Sequence, residues 1–238
     1  MDVARRVLPR GPADFALQLL IWFGFVFSYQ LVRGLPDHDR AAALANGMRI
    51  VDLERHLGRP IVELRVQHVF ASAHWLGTAA AWTYWNAEFT VVGLALLWVY
   101  LRRHDHFARL RNAVILASAL ALIGFAVDPT APPRMFPGLG FHDTLARAGG
   151  LNHGAGLVQL AGNPYAAMPS LHSADALIVG LVLATACRSR WAKALWLLWP
   201  VWVWTCVIAT ANHFLLDVVA GIALALLTLG ALELACRR

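Results

Sequence analysis

The chain has 238 residues, of which 59% are hydrophobic and 14% charged, with a mean hydropathy of +0.57 and a formal net charge of +6. Soluble domains carry about 45–50% apolar and about 25% charged residues, and one of this size cannot hide so large an apolar excess from water. The composition therefore excludes a soluble globule, a disordered chain, a fibrous repeat and a disulfide scaffold, and it makes lipid the solvent for much of the chain. Cys187, Cys206 and Cys236 lie within or at the end of apolar runs without C-x-x-C spacing. They read as small buried hydrophobes, not as a zinc site or a disulfide framework.

A bilayer-spanning helix needs about 20 mostly apolar residues. Residues 1–13, with Arg5, Arg6 and Arg10, read as a short cytoplasmic N-terminus. The apolar run that follows, 14–33, is long enough to be an anchor and not a cleaved leader. Residues 37–77 are charged and periodic, as in VDLERHLGRPIVELRVQHVF, and are predicted to form amphipathic helices at the membrane interface. Further spans are expected at 78–101, 111–128, 169–187 (with Pro169 in its first turn), 192–211 and 213–235. A long connection, 128–168, separates the third span from the fourth. No internal repeat or low-complexity tract interrupts the pattern. The expected fold class is all-α: one polytopic membrane domain over 14–238, with about six transmembrane helices in a single bundle plus the interfacial helices.

Charge placement predicts the orientation. With the N-terminus in the cytoplasm, the short cytoplasmic segments hold Arg5, Arg6, Arg10, Arg102, Arg103, Arg109, Arg111, Arg188, Arg190, Lys193, Arg237 and Arg238. These are twelve of the twenty basic residues. In the 33–77 region the bases are balanced by acids such as Asp37, Asp39, Asp52, Glu54 and Glu63. The positive-inside rule then places both termini in the cytoplasm, in a plasma (inner) membrane. The 128–168 connection and the junction of the last two spans face the other side.

Ionisable groups at membrane depth are expensive and usually functional. Asp128 to Arg134 (DPTAPPR) leaves the third span, Met168 to His172 (MPSLH) opens the fourth, and Asn212 to Asp217 (NHFLLD) opens the sixth. All three are expected on the same face. His213 and Asp217 are four apart and share a helical face, and a carboxylate beside an imidazole fixes its tautomer and makes the other nitrogen a better nucleophile or base. Arg134 offers a planar fork for phosphate oxygens. A helix N-terminus near Ser170 is a ready anion site, and His172 in that turn is placed to donate a proton to a leaving oxygen. Cation, anion site, nucleophile and acid together describe phosphoryl transfer.

These three stretches resemble the signature motifs of the type 2 phosphatidic acid phosphatase superfamily. PSLH is similar to its central PSGH motif and HFLLD to its final H-x-x-x-D motif. The wording of 128–134, 163–172 and 210–221, together with VDLERHLG, is most similar to the branch related to inositol phosphorylceramide synthase. The resemblance spans about 50–221. It implies a six-helix membrane enzyme with no cofactor and no metal, acting on a lipid phosphate such as an isoprenyl phosphate, phosphatidic acid or another phospholipid. It also implies His213 as a nucleophile that becomes phosphorylated, Asp217 as its orienting partner, His172 as the acid on the leaving alcohol, and Arg134, Ser170 and Asn212 as phosphate ligands. Water resolving the phosphohistidine would make the chain a phosphatase. An alcohol acceptor would make it a phosphotransferase. Asp175, Glu88, Tyr165 and Asn163 are candidates for supporting roles, with Asp175 expected to hold the His172 ring.

Two positions depart from the superfamily pattern. Val127 and Val207 stand where the phosphatase motifs have Lys and Arg. Asn212, Arg147, His142 or a base of the 37–77 region such as Arg65 is expected to compensate. His38, His56, His68, His74, His104, His106 and His153 read as interfacial anchors, and the Trp-rich run from Trp191 to Trp204 as a lipid-facing belt. A channel or transporter fits six spans with buried charges, but no repeated halves are visible. A haem protein using His172 and His213 and a serine protease using Ser170 are further readings, the latter without a G-x-S-x-G context. The basic balance marks membrane topology, not nucleic-acid binding.

Overall fold

The computed structural model describes residues 8–34, 39–56, 61–147 and 163–237. The expectations for Arg5, Arg6, Asp37, His38, His153 and Arg238 lie outside the described residues. Among the described residues ten α-helices account for almost all regular structure: α1 Gly11–Gly34, α2 Arg40–His56, α3 Val62–Ala71, α4 His74–Asn86, α5 Val92–Arg102, α6 His104–Val127, α7 Thr144–Arg147, α8 Leu171–Ala186, α9 Arg190–Ala209 and α10 Leu215–Cys236. A π-helical turn, Ala87–Val91, joins α4 to α5 into one continuous rod of 29 residues. Among the described residues the only extended pairing is one isolated bridge between Thr130 and Ala166. The protein is an all-α polytopic membrane protein.

Among the described residues five helices are long and apolar enough to cross a bilayer: α1, the α4–α5 rod, α6, α9 and α10. The fourth expected span is the exception in length. Its helix α8 has 16 residues, about 24 Å at the α-helical rise, short of a hydrocarbon core of about 30 Å. Pro169 is not in its first turn: Ser170 is the N-cap, its side chain accepting from the Ser173 amide, and Pro169 precedes it. The second expected span likewise begins earlier than residue 78, at His74.

Helix α8 is apolar on nearly every face, the pattern of a helix enclosed by others. It packs on α6, α9 and α10, and its Ala174, Ile178 and Val182 share the largest core cluster with Ala113, Ala117 and Ala121 of α6. Small residues every four positions let these two backbones approach closely, which drives helix association where lipid offers no hydrophobic gain. Helix α1 is the opposite case: Tyr29 is its one buried residue, while Leu20, Phe23, Phe27 and Leu31 are exposed as a lipid-facing surface would be.

Polar contacts identify the two ends of the bundle. At one end Arg103 Nε donates to the Ala186 carbonyl (2.7 Å), Tyr100 donates to Asp14 (2.7 Å), Arg111 donates to Gln18 (2.7 Å) and Arg109 pairs with Glu233. The described basic residues of the expected cytoplasmic segments gather here. The opposite end holds the C-terminus of α6, the N-terminus of α8 and the α9–α10 junction.

Helices α2 and α3, expected at the interface, cover that opposite end, and their periodicity is used against protein. Ala43, Gly47, Ile50 and Val51 of α2 are buried beside Ala131, Phe136, Phe141 and Phe214. Helix α3 buries Glu63 and Gln67 completely. Glu63 accepts from the Leu215 amide at 2.7 Å, and the Gln67 side-chain amide donates to the His142 carbonyl at 2.8 Å and to Thr144 Oγ1 at 3.1 Å.

Gly221 sits where α10 passes the N-cap of α8. A Cβ there would lie 2.2 Å from the Ser170 carbonyl oxygen and 3.0 Å from Ser173 Cβ. Backbone cannot yield as a flexible side chain does. Gly221→Ala is expected to destabilise the protein by about 1–3 kcal/mol, read as a lower thermal midpoint in detergent, whereas Gly230→Ala, with open space around it, is expected to leave it unchanged.

Candidate active site

Three irregular segments meet at the covered end. The segment after α6 is anchored by Asn46, whose amide donates to Asp128 Oδ1 (2.7 Å) and to the Pro129 carbonyl (3.0 Å). Thr130 donates its amide to the Tyr165 carbonyl (2.8 Å), and Ala167 returns one to the Thr130 carbonyl (3.4 Å). The Arg134 amide donates to the Ala211 carbonyl at 2.9 Å. Ala211 has φ 55°, a left-handed conformation uncommon for a residue with a Cβ, so the α9–α10 junction turns sharply just before Asn212 and His213.

Between these segments lies a cavity of about 430 Å³. His172 and His213 both line it, with ring centroids 5.8 Å apart. His213 Nδ1 lies 2.9 Å from the Ala167 carbonyl and 3.5 Å from Asp217 Oδ2. A carbonyl can only accept, so Nδ1 carries the proton and Nε2 carries the lone pair. Asp217 Oδ2 also accepts from the Phe214 amide at 2.8 Å. That carboxylate thus caps its own helix and sits beside the imidazole. Burial pushes the His213 imidazole, which precedes α10, down to about 3, and the Arg134 charge acts in the same direction. Burial thus favours the neutral ring.

His172 stacks on Tyr84, with centroids 4.3 Å apart. Its Nε2 lies 3.2 Å from the Tyr84 carbonyl and 3.4 Å from Glu88 Oε2. Glu88 lies in the π-helical turn, a local widening frequent at functional sites. The carboxylate that meets His172 is therefore Glu88 and not Asp175: Asp175 is buried three residues along α8, does not line the cavity, and its Oδ1 has no hydrogen-bond partner among the described residues.

The remaining expectations divide. Arg134, Asn212 and Asn163 line the cavity. Arg134 Nη1 donates to Asn212 Oδ1, and the Asn212 amide donates to the Thr210 carbonyl (3.2 Å), so Asn212 orients the guanidinium. Asn163 Oδ1 accepts from the Tyr165 amide (2.9 Å) while its Nδ2 is buried without a hydrogen-bond partner. Ser170 and Tyr165 do not line the cavity. Ser170 is fully buried: Oγ accepts from the Ser173 amide and hydroxyl (3.3 and 3.0 Å), and its own amide donates to the Asp217 carbonyl (3.0 Å). It locks α8 to α10 instead of facing a ligand. Tyr165 packs toward the cluster under α2.

None of Arg147, His142 and Arg65 lines the cavity. The cation that does, besides Arg134, is Arg33 at the end of α1, together with Tyr29 and Gln30. Sequence reasoning missed this face because no motif marks it. The signal was topological: the first span ends at the same level as the three motifs. Tyr84 was missed for the same reason. Among the described residues no group of three or more His, Cys, Asp or Glu side chains gathers that could hold a metal.

The family model of the PAP2 superfamily matches residues 48–231. The chain is 27% identical over 232 residues to the "Phosphoinositol dihydroceramide synthase" of Bacteroides thetaiotaomicron, covering 89% of this chain and 74% of that protein. No solved structure matches it.

The burial of neutral His213 has a consequence for stability. Unfolded, the imidazole takes a proton below about pH 6.5; folded, it resists until about 3. Between those values the unfolded state binds more protons, so stability falls as pH falls. The thermal midpoint is expected to drop between pH 6.5 and 5, and His213→Gln is expected to flatten that drop.

Proposed function

Because the chain belongs to the PAP2 superfamily, and so is an enzyme acting on lipid phosphates, we propose that it transfers a phosphoryl group from a membrane lipid through a covalent intermediate on His213. The observation that supports this most is the pair of cavity-lining histidines, one held with Nε2 as its lone-pair nitrogen beside Arg134, the other set against Glu88. His213 Nε2 attacks phosphorus, a P–N bond forms, and the P–O bond to the leaving alcohol breaks. Arg134, oriented by Asn212, takes the charge on the phosphoryl oxygens. Glu88 stabilises the His172 imidazolium, which gives its proton to the departing oxygen. Neutral His172 then accepts a proton from the incoming hydroxyl, whose oxygen displaces His213 from phosphorus. With water as that hydroxyl the enzyme is a phosphatase. The chemistry needs no metal, since guanidinium groups supply the positive charge. The basic end of the bundle is taken as cytoplasmic, which places the cavity on the opposite face, with its lipid substrate drawn from that leaflet.

One observation favours a second outcome on the same machinery. The similar Bacteroides protein is named a synthase, which fits an alcohol instead of water as the acceptor, moving a phospho-headgroup from a phospholipid.

The test is a panel of isoprenyl phosphates, phosphatidic acid, phosphatidylglycerol phosphate and phosphoinositides, assayed for phosphate release with and without acceptor alcohols. His213→Gln is expected to lower turnover by at least about 10³-fold with the fold intact. Glu88→Gln is expected to cost about 10²-fold or more and Asp217→Asn about 10–10²-fold, with Asp175→Asn costing less than either. EDTA is expected to have no effect. Turnover that survives His213→Gln but not chelation contradicts the reading.

A further inference from the structure

The family model begins at residue 48, but the cavity extends beyond it to α1. Tyr29, Gln30 and Arg33, spaced to share one helical face, line the same cavity as His213 and Arg134. Tyr29 Oη, Gln30 Oε1 and Arg33 Nε are buried and have no hydrogen-bond partner among the described residues. Buried polar atoms are nearly always paired, so three orphans on one wall mark a surface that a polar ligand completes. The Arg33 guanidinium carbon sits 5.9 Å from the Tyr29 ring centroid, a cation–π contact that positions the charge without neutralising it. Among the described residues no carboxylate forms an ion pair with Arg33. The acid on the cavity wall, Glu88, is engaged with His172. The Arg33 charge nevertheless acts on both Arg134 and His213.

The charges on the cavity wall count in the same direction. With His172 protonated, as the leaving-group step requires, Arg134 and His172 set against Glu88 leave the wall one net positive charge, and Arg33 raises it to two, matched to the dianion of a phosphate monoester. A half-buried cation whose Nε is enclosed without a hydrogen-bond partner is costly, and an anion beside it removes that cost.

We propose that Arg33 is the second cationic ligand of the substrate phosphate, which makes α1 part of the binding site. This rests on the reading of the cavity as a phosphoryl-transfer site. The bidentate fork of Arg33 would grip a phosphoryl oxygen opposite Arg134, holding phosphorus in line between His213 and His172.

Thermal unfolding of the full chain in detergent, titrated with inorganic phosphate, tests this through binding alone. The wild-type midpoint is expected to rise with phosphate. Arg33→Gln is expected to raise the half-saturating concentration by about tenfold or more, with Arg33→Lys in between. Arg65→Gln, exposed and away from the cavity, should match wild type. If Arg33→Gln does not fold, Arg33→Met, which keeps the apolar stem, replaces it. Saturation of the neutral variant at the wild-type concentration, while Arg134→Gln is shifted, overturns the role of Arg33 alone. If Arg134→Gln is also unshifted, or wild type does not respond to phosphate, the phosphate site itself is overturned.

Discussion

The hydrogen bond from His213 Nδ1 to the Ala167 carbonyl, 2.9 Å long, is the contact on which the site depends. It joins the α9–α10 junction to the segment that precedes α8, and it sets the tautomer of the ring in the same stroke. The neighbouring bonds follow its logic. Ser170 donates to the Asp217 carbonyl, Ala167 to Thr130, Thr130 to Tyr165 and Arg134 to Ala211. Segments without regular structure thus satisfy one another. Irregular backbone at membrane depth is tolerated only when it is enclosed by protein or lines a cavity. Here the short α8 leaves room for such backbone, and α2 and α3 close over it.

Buried carboxylates carry much of this arrangement. Asp217 and Glu63 are both fully buried, and both accept from amides at the start of α10, Phe214 and Leu215. Negative charge at a helix N-terminus is favoured by the unpaired amides and the helix dipole. The helix that carries Asp217 is thereby held by α3 from outside and by its own side chain from within. Glu88 is placed differently: it caps no helix and instead lies 3.4 Å from His172 Nε2. Asp175, one turn below His172, is buried and forms no ion pair with a histidine among the described residues.

The sequence made part of this legible. His172, His213, Asp217 and Arg134 stand out because ionisable groups are rare in apolar runs, and helical spacing pairs His213 with Asp217. The span pattern was likewise readable from length and hydropathy. Spacing along one helix could not reveal Glu88 as the partner of His172, because the two lie on different helices and a π-helical turn presents Glu88. Nor could it tell whether Ser170 faced a ligand or capped α8, since both uses place a serine at a helix N-terminus. The amphipathic pattern of α3 marked a polar face but not what that face would meet. Arg33 was legible only as the end of a span. Its place in the cavity depends on how α1 docks, and no local pattern encodes that.

The central claim is covalent chemistry on His213, and the most direct measurement is to trap it. The purified protein is mixed with a substrate labelled in its phosphoryl group, quenched in alkali within the turnover time, and mapped by mass spectrometry. Covalent chemistry on His213 predicts an alkali-stable, acid-labile phosphoryl group on that residue, absent from His213→Gln. Steady turnover by wild type with no such label, or an equal label on His213→Gln, would contradict it.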